Sequence, residues 1–242
     1  MREKYSLILA AGEGKRMKSD IPKSLTKLKG KTLIERTINN LEEANINKHV
    51  AVLGYKAEEI KKAINGKCDI CYQQKLLGTA NAVLSSYDYF INKKCDIVII
   101  ASDMPFVSGR SLKKAIETFE NEELDLLILV AIAKENYGYG RIIRNENGEI
   151  IKIVEERDCT EDEKKIQEVN SSIYIVKSEE VFTNLRKIKN NNAQNEFYLT
   201  DLVSIYREEH KKISTFLLVD EKEIIGINNL EDLKKAEPVF YL

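Results

Sequence analysis

Short apolar runs alternate with amphipathic segments over the first 133 residues, and this alternation constrains the fold more than any other feature. The apolar runs have the length and composition of buried strands, whereas the segments between them carry apolar residues at helical spacing. Strands are predicted at 5–10, 50–53, 69–72, 96–101 and 124–133, and helices at 32–44, 57–64, 79–89 and 108–119. Such alternation favours a mostly parallel sheet with helices on both faces. The sequence therefore predicts a Rossmann-like α/β fold.

The pattern changes after residue 133. Asn147-Gly148, a strong signal for a tight hairpin turn, lies between apolar runs at 140–143 and 149–154. Further strands are predicted at 169–176 and 213–219, and further helices at 178–186, 198–209 and 230–236. We expect one domain over residues 1–242, which comprises a first half at 1–133, a β-rich, mixed-sheet extension at 134–228 and a C-terminal helix at 229–242.

Charge and hydropathy limit the partners of the chain. Its 242 residues include 38 Lys and Arg and 39 Asp and Glu, which give a formal net charge of −1. This balance argues against a surface for nucleic acid or for an anionic membrane. No apolar run approaches the roughly 20 residues that cross a bilayer, and the N-terminus does not read as a signal peptide. We therefore expect a cytoplasmic protein with no membrane and no nucleic-acid partner.

The four cysteines are expected to be reduced and unpaired. Cys68 and Cys71 have the spacing of a redox pair, but residues three apart on a strand point to opposite faces, and redox pairs lie at helix N-termini. A zinc site would need two further ligands, and the two histidines, His49 and His210, are far apart in the sequence. So few histidines also indicate chemistry without a histidine acid or base.

The first predicted strand runs into a glycine loop that is rich in cations. Residues 7–17 read LILAAGEGKRM, and Pro22-Lys23 follows shortly after. Glycines allow a tight turn whose N–H groups come close to a ligand, and Lys15, Arg16 and Lys23 add positive charge. The loop therefore predicts a site for the polyphosphate of a nucleoside triphosphate at the end of the first strand.

The sequence of this loop does not match two other known kinds of glycine loop. The dinucleotide fingerprint requires a third glycine, where this chain has Met17, and an acidic residue after the second strand, where it has Gly54-Tyr55. The P-loop requires Ser or Thr after Gly-Lys, and here Arg16 follows Lys15. An ordinary strand-to-helix turn is the alternative, since Gly-x-Gly alone is a weak signal.

Two oxygen-bearing side chains are candidate magnesium ligands. Asp103 directly follows the apolar strand at 96–101, so it lies at the edge where ligands bind in open α/β sheets. A carboxylate beside a triphosphate suits magnesium, which prefers hard oxygens and few protein contacts. Asn228, after the last strand region, offers an amide oxygen that would complete the coordination. The alternatives are a turn aspartate before Pro105 and, for Asn229, the N-cap of the last helix.

Two further segments carry candidate binding residues. Gln73 ends a predicted strand and can hydrogen-bond a base edge, and Gly78 before the next helix allows close approach of the ribose or base. A glutamine amide can flip, so Gln73 alone cannot separate uracil from cytosine, and fixed backbone groups must do so. Glu155 and Asn170 in the extension are candidate ligands for sugar hydroxyls. A helix cap and a charged strand end are the structural alternatives.

Together these motifs resemble the sugar-phosphate nucleotidyltransferases, and most of all the pyrophosphorylase domain of the bifunctional bacterial N-acetylglucosamine-1-phosphate uridylyltransferases. The resemblance covers nearly the whole chain. It is carried, in chain order, by LAAGEGKRM at 9–17, Pro22-Lys23, LGTA at 77–80, Asp103-Met104-Pro105, YGR at 139–141, Val154-Glu155, QEVN at 167–170, NAQNEFYLTD at 192–201 and GINN at 226–229. The glycine loop marks only the superfamily, whereas the string at 192–201 with the closing Asn-Asn pair is specific to the uridylyltransferases.

The resemblance implies transfer of UMP from UTP to N-acetylglucosamine 1-phosphate, with Mg²⁺ as cofactor and pyrophosphate as the second product. It implies that 1–133 binds the nucleotide and 134–228 binds the sugar phosphate. The resemblance also implies a role for each candidate residue. Uridine would be bound by the backbone of Ala10, Ala11 and Gly12 together with Gln73, Gly78 and Thr79. Arg16 and Lys23 would act in catalysis at the phosphates, Asp103 and Asn228 would bind magnesium, and the sugar phosphate would be bound by Gly140, Glu155, Asn170 and Thr200.

The chain departs from the family pattern at five positions. Lys15 replaces a threonine, Leu76 a glutamine and Asn81 a histidine, and Ser102 and Ser172 replace glycines. These changes bear on the choice of substrate more than on the type of reaction. One alternative is therefore a nucleotidyltransferase for another sugar 1-phosphate or nucleoside triphosphate, and another is a non-catalytic nucleotide-sugar binding module.

The bifunctional members of the family continue into a left-handed β-helix of hexapeptide repeats, which carries an acetyltransferase activity. No such repeats occur in this sequence. We therefore expect neither acetyl transfer nor a trimer held by a β-helix, and the sequence leaves the oligomeric state open.

Overall fold

The computed structural model describes residues 2–240. The strands are β1 (Glu3–Ala10), β2 (Lys27–Leu28), β3 (Lys31–Thr32), β4 (His49–Leu53), β5 (Asp69–Tyr72), β6 (Cys95–Ala101), β7 (Leu126–Ile132), β8 (Arg141–Arg144), β9 (Ile150–Val154), β10 (Glu168–Lys177) and β11 (Ile213–Leu217). The α-helices are α1 (Leu33–Glu43), α2 (Ala57–Ile64), α3 (Thr79–Leu84), α4 (Tyr87–Phe90), α5 (Gly109–Asn121), α6 (Ser178–Leu185), α7 (Leu202–Glu208) and α8 (Leu230–Val239).

One mixed sheet organises the chain. Its order is β11-β7-β10-β6-β1-β4-β5, with β8 and β9 added beside β10, and a separate hairpin pairs β2 with β3. The pairs of β1 with β4, β1 with β6, β4 with β5 and β7 with β11 are parallel, whereas β10 runs antiparallel to β6 and β7. The predicted Rossmann-like α/β fold with a mixed-sheet extension is confirmed.

The parallel register brings several strand ends to one edge. Ala10 pairs with Leu53, and Leu9 pairs with Ala101, so β1, β4 and β6 finish side by side. The Ser102 N–H donates to Leu9 O at 3.0 Å and continues this alignment past the end of β6. Residues that follow these strands therefore meet at the edge where open α/β sheets bind ligands.

Helices cover both faces of the sheet. Successive strand residues point to opposite faces, so Ile8 of β1 joins one apolar cluster and Leu7 joins the other. The first cluster receives α1, α2 and α5, and the second receives α3, α6 and α7. Helix α8 joins a small third cluster that includes Leu28, Ile227 and Ala236.

Most predicted elements form close to their expected bounds, and their local signals act as expected. The hairpin of β8 and β9 surrounds Asn147-Gly148. Ser108 caps α5 by accepting a hydrogen bond from Ser111 N. Asn229 caps α8 by accepting from Glu231 N and Asp232 N. The segment predicted as the C-terminal helix, 229–242, includes residues 241 and 242, which lie outside the described residues.

The helix predicted at 79–89 is wrong as a single element, because the chain forms α3 and α4 with a break between them. Ser85 Oγ donates to Asn81 O at 2.8 Å, and Ser86 Oγ donates to Val83 O at 2.7 Å. Serine side chains that bond to nearby carbonyls compete with the helical hydrogen bonds. The pair of serines therefore ends α3 one turn earlier than the apolar pattern suggests.

The four cysteines are free, as expected. Burial raises the pKa of the Cys68 thiol to about 12 and that of the Cys71 thiol to about 11. Thiols with such pKa values hold their protons at neutral pH, so they are poor nucleophiles. None of the helices described between residues 2 and 240 combines the length and the apolar character that crossing a bilayer requires.

Candidate active site

The glycine loop after β1 folds back onto the segment that carries Lys23. Gly14 has a φ of 62°, in the left-handed region that favours glycine. A Cβ at Gly14 would lie 2.8 Å from the Cβ of Lys23, so only glycine allows the two segments to come this close. Each segment then forms one turn of 3₁₀ helix, at Lys15–Met17 and Lys23–Leu25. The loop thereby brings Arg16 and Lys23 to the same side of the sheet edge.

Arg16, Lys23, Asp103 and Asn228 meet in one hydrogen-bonded network. Arg16 donates to Asn228 Oδ1 at 2.9 Å, and Lys23 Nζ reaches the same oxygen at 3.2 Å. Lys23 Nζ also donates to Asp103 Oδ2 in an ion pair. Asp103 is buried, Lys23 is half-buried and Arg16 is exposed. The structure thus joins the two predicted catalytic residues to the two predicted metal ligands, although Arg16 and Asn228 are 212 positions apart.

Neighbouring contacts hold the network in place. Ser24 Oγ and Ser102 Oγ lie 3.0 Å apart, so the turn that carries Lys23 is tied to the end of β6. Ile227 N donates to Asp103 O at 3.0 Å, and Asn228 N donates to Asp232 Oδ2 at 2.8 Å. Asp232 belongs to the capping box of α8, so the helix start also orients Asn228. Ser24 and Asp232 carry no motif in the sequence that marks them as site residues, because only the fold brings them next to Lys23 and Asn228.

Lys15, the third cation of this part of the chain, does not join the network. Its ammonium pairs with Glu13 Oε2 at 2.8 Å, and its side chain is 85% exposed. The hydrogen bond and the charge of Glu13 raise the pKa of Lys15. Glu13 therefore balances the extra positive charge of the loop, and Arg16 and Lys23 are the cations at the strand edge.

The oxygens of Asp103 and Asn228 suit a magnesium ion. Both contact the same ammonium, Lys23 Nζ, so they converge on one cation. In the part of the chain that the structure describes, no group of three or more His, Cys, Asp or Glu residues could hold a metal alone. Magnesium does not need such a group, since it is commonly bound by one or two protein oxygens together with substrate phosphates.

A cavity of about 310 Å³ opens beside the glycine loop. Gln73 and Gly54 line it, together with Leu53, Tyr55, Tyr72, Gln74 and Leu76. Tyr55 N donates to Ala11 O at 3.0 Å, and a Cβ at Gly54 would lie 2.8 Å from the same oxygen, so Ala11 lies next to two of the lining residues. Gln73 is buried at its wall, and the partly exposed side chains of Tyr55, Tyr72 and Leu76 offer apolar surface. The cavity has room for a flat heterocycle between apolar walls.

Gly78 and Thr79 contact the chain at 197–199. Gly78 has a φ of 109°, and a Cβ there would lie 2.6 Å from Phe197 O. Thr79 Oγ1 accepts from Leu199 N at 3.0 Å. Close packing against Phe197 therefore explains the glycine at position 78 independently of any ligand. The same contacts join the cavity wall to the segment that ends at Thr200.

The four predicted sugar-phosphate residues, Gly140, Glu155, Asn170 and Thr200, lie together. Asn170 N donates to Gly140 O at 2.9 Å, and Thr200 Oγ1 donates to Glu155 Oε1 at 3.2 Å. A Cβ at Gly140 would lie 2.9 Å from Ile153 Cγ2, 3.6 Å from the Cβ of Asn170 and 3.7 Å from Glu155 Oε2. Gly140 therefore leaves open the space between the Glu155 carboxylate and the Asn170 amide.

A bulge in β10 sets the orientation of the Asn170 side chain. The register against β7 shifts between Asn170 and Tyr174, and Ser172 has a φ of 62°. Asn170 Oδ1 accepts from Ser172 N at 3.0 Å, and Asn170 Nδ2 donates to Tyr174 Oη at 2.7 Å. Bulges of this kind aim side chains at functional sites. The positive φ also explains why the family pattern has glycine where this chain has Ser172.

Burial raises the pKa of the Glu155 carboxyl above its ordinary value. The negative charges of Asp158, Asp201 and Glu196 act in the same direction, and the hydrogen bond from Thr200 opposes them. A carboxylate held in such surroundings gains from donors such as sugar hydroxyls, because these replace the water that burial removes. The geometry therefore gathers polar, hydrogen-bonding groups around the Glu155 carboxyl.

The network around Lys23, the cavity at the ends of β4 and β5 and the polar cluster around Asn170 all lie at the carboxyl edge of the parallel strands of an α/β sheet. This arrangement is typical of α/β proteins that bind a nucleotide together with a second polar substrate. Within that class, the chain belongs to the family of MobA-like NTP transferase domains, whose sequence model matches residues 6–186.

Curated relatives extend the similarity beyond those residues. Over 235 residues the chain is 40% identical to the bifunctional protein GlmU of Streptococcus thermophilus strain CNRZ 1066 and 39% identical to that of Streptococcus uberis. Each match covers 97% of this chain and 51% of the relative. The chain thus spans about half the length of the curated relatives that it matches. The expected resemblance to the bifunctional bacterial enzymes is confirmed.

Solved structures agree with the fold. A UDP-glucose pyrophosphorylase in complex with UDP-glucose superposes with a TM-score of 0.79 and 21% identity, covering 100% of this chain and 99% of that one. A Bacillus anthracis protein assigned as a glucose-1-phosphate thymidylyltransferase gives a TM-score of 0.78 and 19% identity, covering 98% and 94%. At these identities the similarity establishes the architecture alone.

Proposed function

We propose that this chain transfers UMP from UTP to N-acetylglucosamine 1-phosphate and releases pyrophosphate. The convergence of Arg16 and Lys23 on the oxygens of Asp103 and Asn228 carries the proposal. Two cations beside two cation-binding oxygens suit a reaction in which two anions must approach each other. The similarity to the bifunctional GlmU proteins supports the choice of reaction, and the proposal covers the nucleotidyl step alone.

The reaction is an in-line attack by a sugar-phosphate oxygen on the α-phosphorus of UTP. A phosphate monoester is anionic at neutral pH, so the attacking group needs no general base. The barrier comes from the repulsion between the anions and from the charge that grows on the leaving pyrophosphate. Arg16 and Lys23 offset both, because their positive charges are in place before the reaction begins. Fixed positions of the two substrates supply much of the remaining acceleration.

Magnesium is the proposed cofactor, with Asp103 and Asn228 as its protein ligands. When bound, the ion neutralises phosphate charge and orients the phosphates. Lys23 now occupies the point between the two oxygens. In the loaded enzyme its ammonium would be released from Asp103 and become available to a phosphate oxygen.

The nucleotide and the sugar phosphate are assigned to different parts of the chain. The proposal places the uridine in the cavity, against the backbone of Ala10, Ala11 and Gly12 and the residues Gln73, Gly78 and Thr79. It places the sugar phosphate between Gly140, Glu155, Asn170 and Thr200. Residues 1–133 then act as the nucleotide-binding half and 134–228 as the sugar-binding half of a single domain. We also propose a cytoplasmic location, which suits four free thiols and a UTP substrate.

The decisive experiment is incubation of the purified chain with UTP, N-acetylglucosamine 1-phosphate and Mg²⁺, followed by detection of pyrophosphate and of the sugar nucleotide. A panel of other nucleoside triphosphates and sugar 1-phosphates serves as the comparison. Turnover fastest with UTP and N-acetylglucosamine 1-phosphate supports the proposal. Faster turnover with another pair would reassign the substrates, and binding of the sugar nucleotide without any turnover would make the chain a binding module.

A further inference from the structure

The side-chain amide of Gln73 is held in one orientation. Its Nε2 donates to Gly78 O at 3.2 Å and to Asn81 Oδ1 at 2.9 Å. A backbone carbonyl can only accept, so the amide must turn its nitrogen, not its oxygen, toward Gly78. The two contacts use both N–H groups of the amide. Oε1 is therefore the atom that Gln73 can offer to a ligand.

The backbone that carries both acceptors of Gln73 is itself held in place. Gly78 and Asn81 lie three residues apart, and positions at this spacing share one face of a helix. The backbone of Gly78 packs against Phe197, and Ala80 N donates to Phe197 O at 2.9 Å. Ser85 Oγ donates to Asn81 O at 2.8 Å. The start of α3 therefore forms a rigid support for the amide before any ligand binds.

An acceptor at the cavity wall discriminates between pyrimidines. Uracil and thymine carry an N–H at N3, which can donate to Gln73 Oε1, whereas N3 of cytosine is a bare acceptor. Cytosine in the same position would place the lone pair of its N3 against a lone pair of Gln73 Oε1, and the two would repel each other. If the amide of Gln73 were free to flip, its nitrogen could serve cytosine equally well. Selectivity therefore depends on what prevents the flip.

We propose that Asn81 is a positioning residue for nucleotide selection: its Oδ1 holds the Gln73 amide so that Oε1 faces the base cavity and favours a pyrimidine with an N3–H. The inference rests on the proposed function, since it takes the cavity as the base site. Asn81 is also one of the positions at which the chain departs from the family pattern. Gly78 O supplies the fixed backbone group, and Asn81 supplies the second acceptor.

The test compares kcat/KM for UTP and CTP in the full chain, with Asn81→Leu as the variant that lacks an acceptor. Asn81→Asp is the matched control, because a carboxylate still accepts from Gln73 Nε2. We expect Asn81→Leu to lower the UTP-to-CTP ratio by about three- to tenfold, the range for one neutral hydrogen bond. Asn81→Asp should keep the ratio within about twofold of the original chain. Asn81→Ala repeats the test without added bulk should the leucine variant fold poorly.

A double-mutant cycle shows whether Asn81 acts through Gln73. In a Gln73→Leu background, Asn81→Leu should no longer change the ratio. Equal losses with UTP and CTP in Asn81→Leu, or a ratio in Asn81→Asp as low as in the leucine variant, would overturn the inference. Calorimetric binding of UTP and CTP alone gives the same ratio without turnover. A chain that binds UTP over CTP but releases no pyrophosphate would therefore refute the proposed reaction and leave the role of Asn81 testable.

Discussion

Asn228 shows how much a single residue does in this site. Its Oδ1 accepts from both Arg16 and Lys23, while its backbone N–H is held by Asp232 of α8. One residue thus joins the glycine loop, the turn that carries Lys23 and the C-terminal helix, the first two through its side chain and the third through its backbone. Loss of any one partner would leave the other side chains of this network less well ordered. We therefore expect substitutions in the network to lower activity more than they lower stability.

Arg16 is the residue whose loss we expect to reduce catalysis with the least structural effect. Its side chain is exposed and contacts Asn228, so Arg16→Ala should leave the melting temperature nearly unchanged. Loss of one preorganised electrostatic donor lowers turnover by about 10²–10³-fold. Pyrophosphate release measures the effect. Lys15→Ala is the matched control, since Glu13 already pairs with that lysine, and its turnover should fall by less than about threefold.

Asp103 is the residue through which we expect magnesium dependence to change. Asp103→Asn keeps the shape of the side chain but removes the negative charge that suits the ion. The Mg²⁺ concentration for half-maximal activity should rise by about tenfold or more, because a carboxylate is the harder and stronger ligand. Asp20→Asn, at an exposed position, controls for the change in net charge. A magnesium titration with an unchanged midpoint in Asp103→Asn would remove this residue from the metal site.

Glu155 should make stability depend on pH. Burial raises its pKa in the folded chain, so the folded state binds this proton more tightly than the unfolded state does. The stability that it contributes is present below the ordinary glutamate pKa and is lost as pH rises through the raised value. Glu155→Gln should therefore raise the melting temperature at pH 8 and change it little at pH 4.

The same substitution should weaken sugar-phosphate binding, and this effect is a second, independent test of the role of Glu155. We expect a higher KM for the sugar phosphate at pH 8 with little change in the KM for UTP. Thermal unfolding followed by circular dichroism, together with initial rates, measures both effects. An equal gain in melting temperature at both pH values would show that the carboxyl does not titrate differently on folding.

At the scale of elements, the start of α3 links the cavity to the segment at 197–199. Gln73, just before the helix, faces the cavity, while Gly78 and Thr79 contact the segment at 197–199. This helix has only six residues, so its own hydrogen bonds stabilise it weakly. Packing against Phe197 must therefore hold it in place.

Gly78→Ala tests this packing. A Cβ at Gly78 would meet backbone atoms of Phe197, and the φ of 109° adds strain. Gly66→Ala is the control, because Gly66 has a φ of 77° but nothing within 4 Å of an added Cβ. We expect Gly78→Ala to lower the free energy of unfolding by about 1–3 kcal/mol more than the control does, the usual cost of overpacking. Urea midpoints at an unchanged slope measure the difference. Equal losses of unfolding free energy in the two variants would show that the start of α3 moves to accept the added Cβ without a loss of stability.

At the scale of the whole molecule, β10 joins the two halves of the chain. This strand from the second half lies between β6 and β7 of the first half and pairs with both. Neither half can therefore complete the sheet alone. The halves that we propose to bind the nucleotide and the sugar phosphate therefore share one sheet.

Unfolding should accordingly be a single cooperative transition. Far-UV circular dichroism reports the backbone, and fluorescence of the 11 tyrosines reports packing, since the chain has no tryptophan. The two curves should coincide in urea. Two separated transitions, or a stably folded fragment of residues 1–133, would contradict a single domain. UTP with Mg²⁺ should shift the transition upward by mass action, as any ligand of the folded state does.

The sequence alone determined the features that depend on nearby residues. The alternation of strands and helices, the hairpin at Asn147-Gly148 and the caps at Ser108 and Asn229 follow from periodicity and local hydrogen bonding, which act over a few positions. The motifs also identified the residues that the site brings together. These residues could be found although they lie far apart in the chain, because the residue types within each motif indicate its chemistry without reference to the other motifs.

Only the tertiary structure decided which groups face each other. The shared network of Arg16 and Asn228, the insertion of β10 between β6 and β7 and the contact of Thr79 with Leu199 all join segments whose relation no local pattern encodes. Strand register and side-chain orientation at such places are set by burial of the whole core, which satisfies many distant residues at once. The physical reason is that local propensity chooses elements, whereas packing chooses their neighbours.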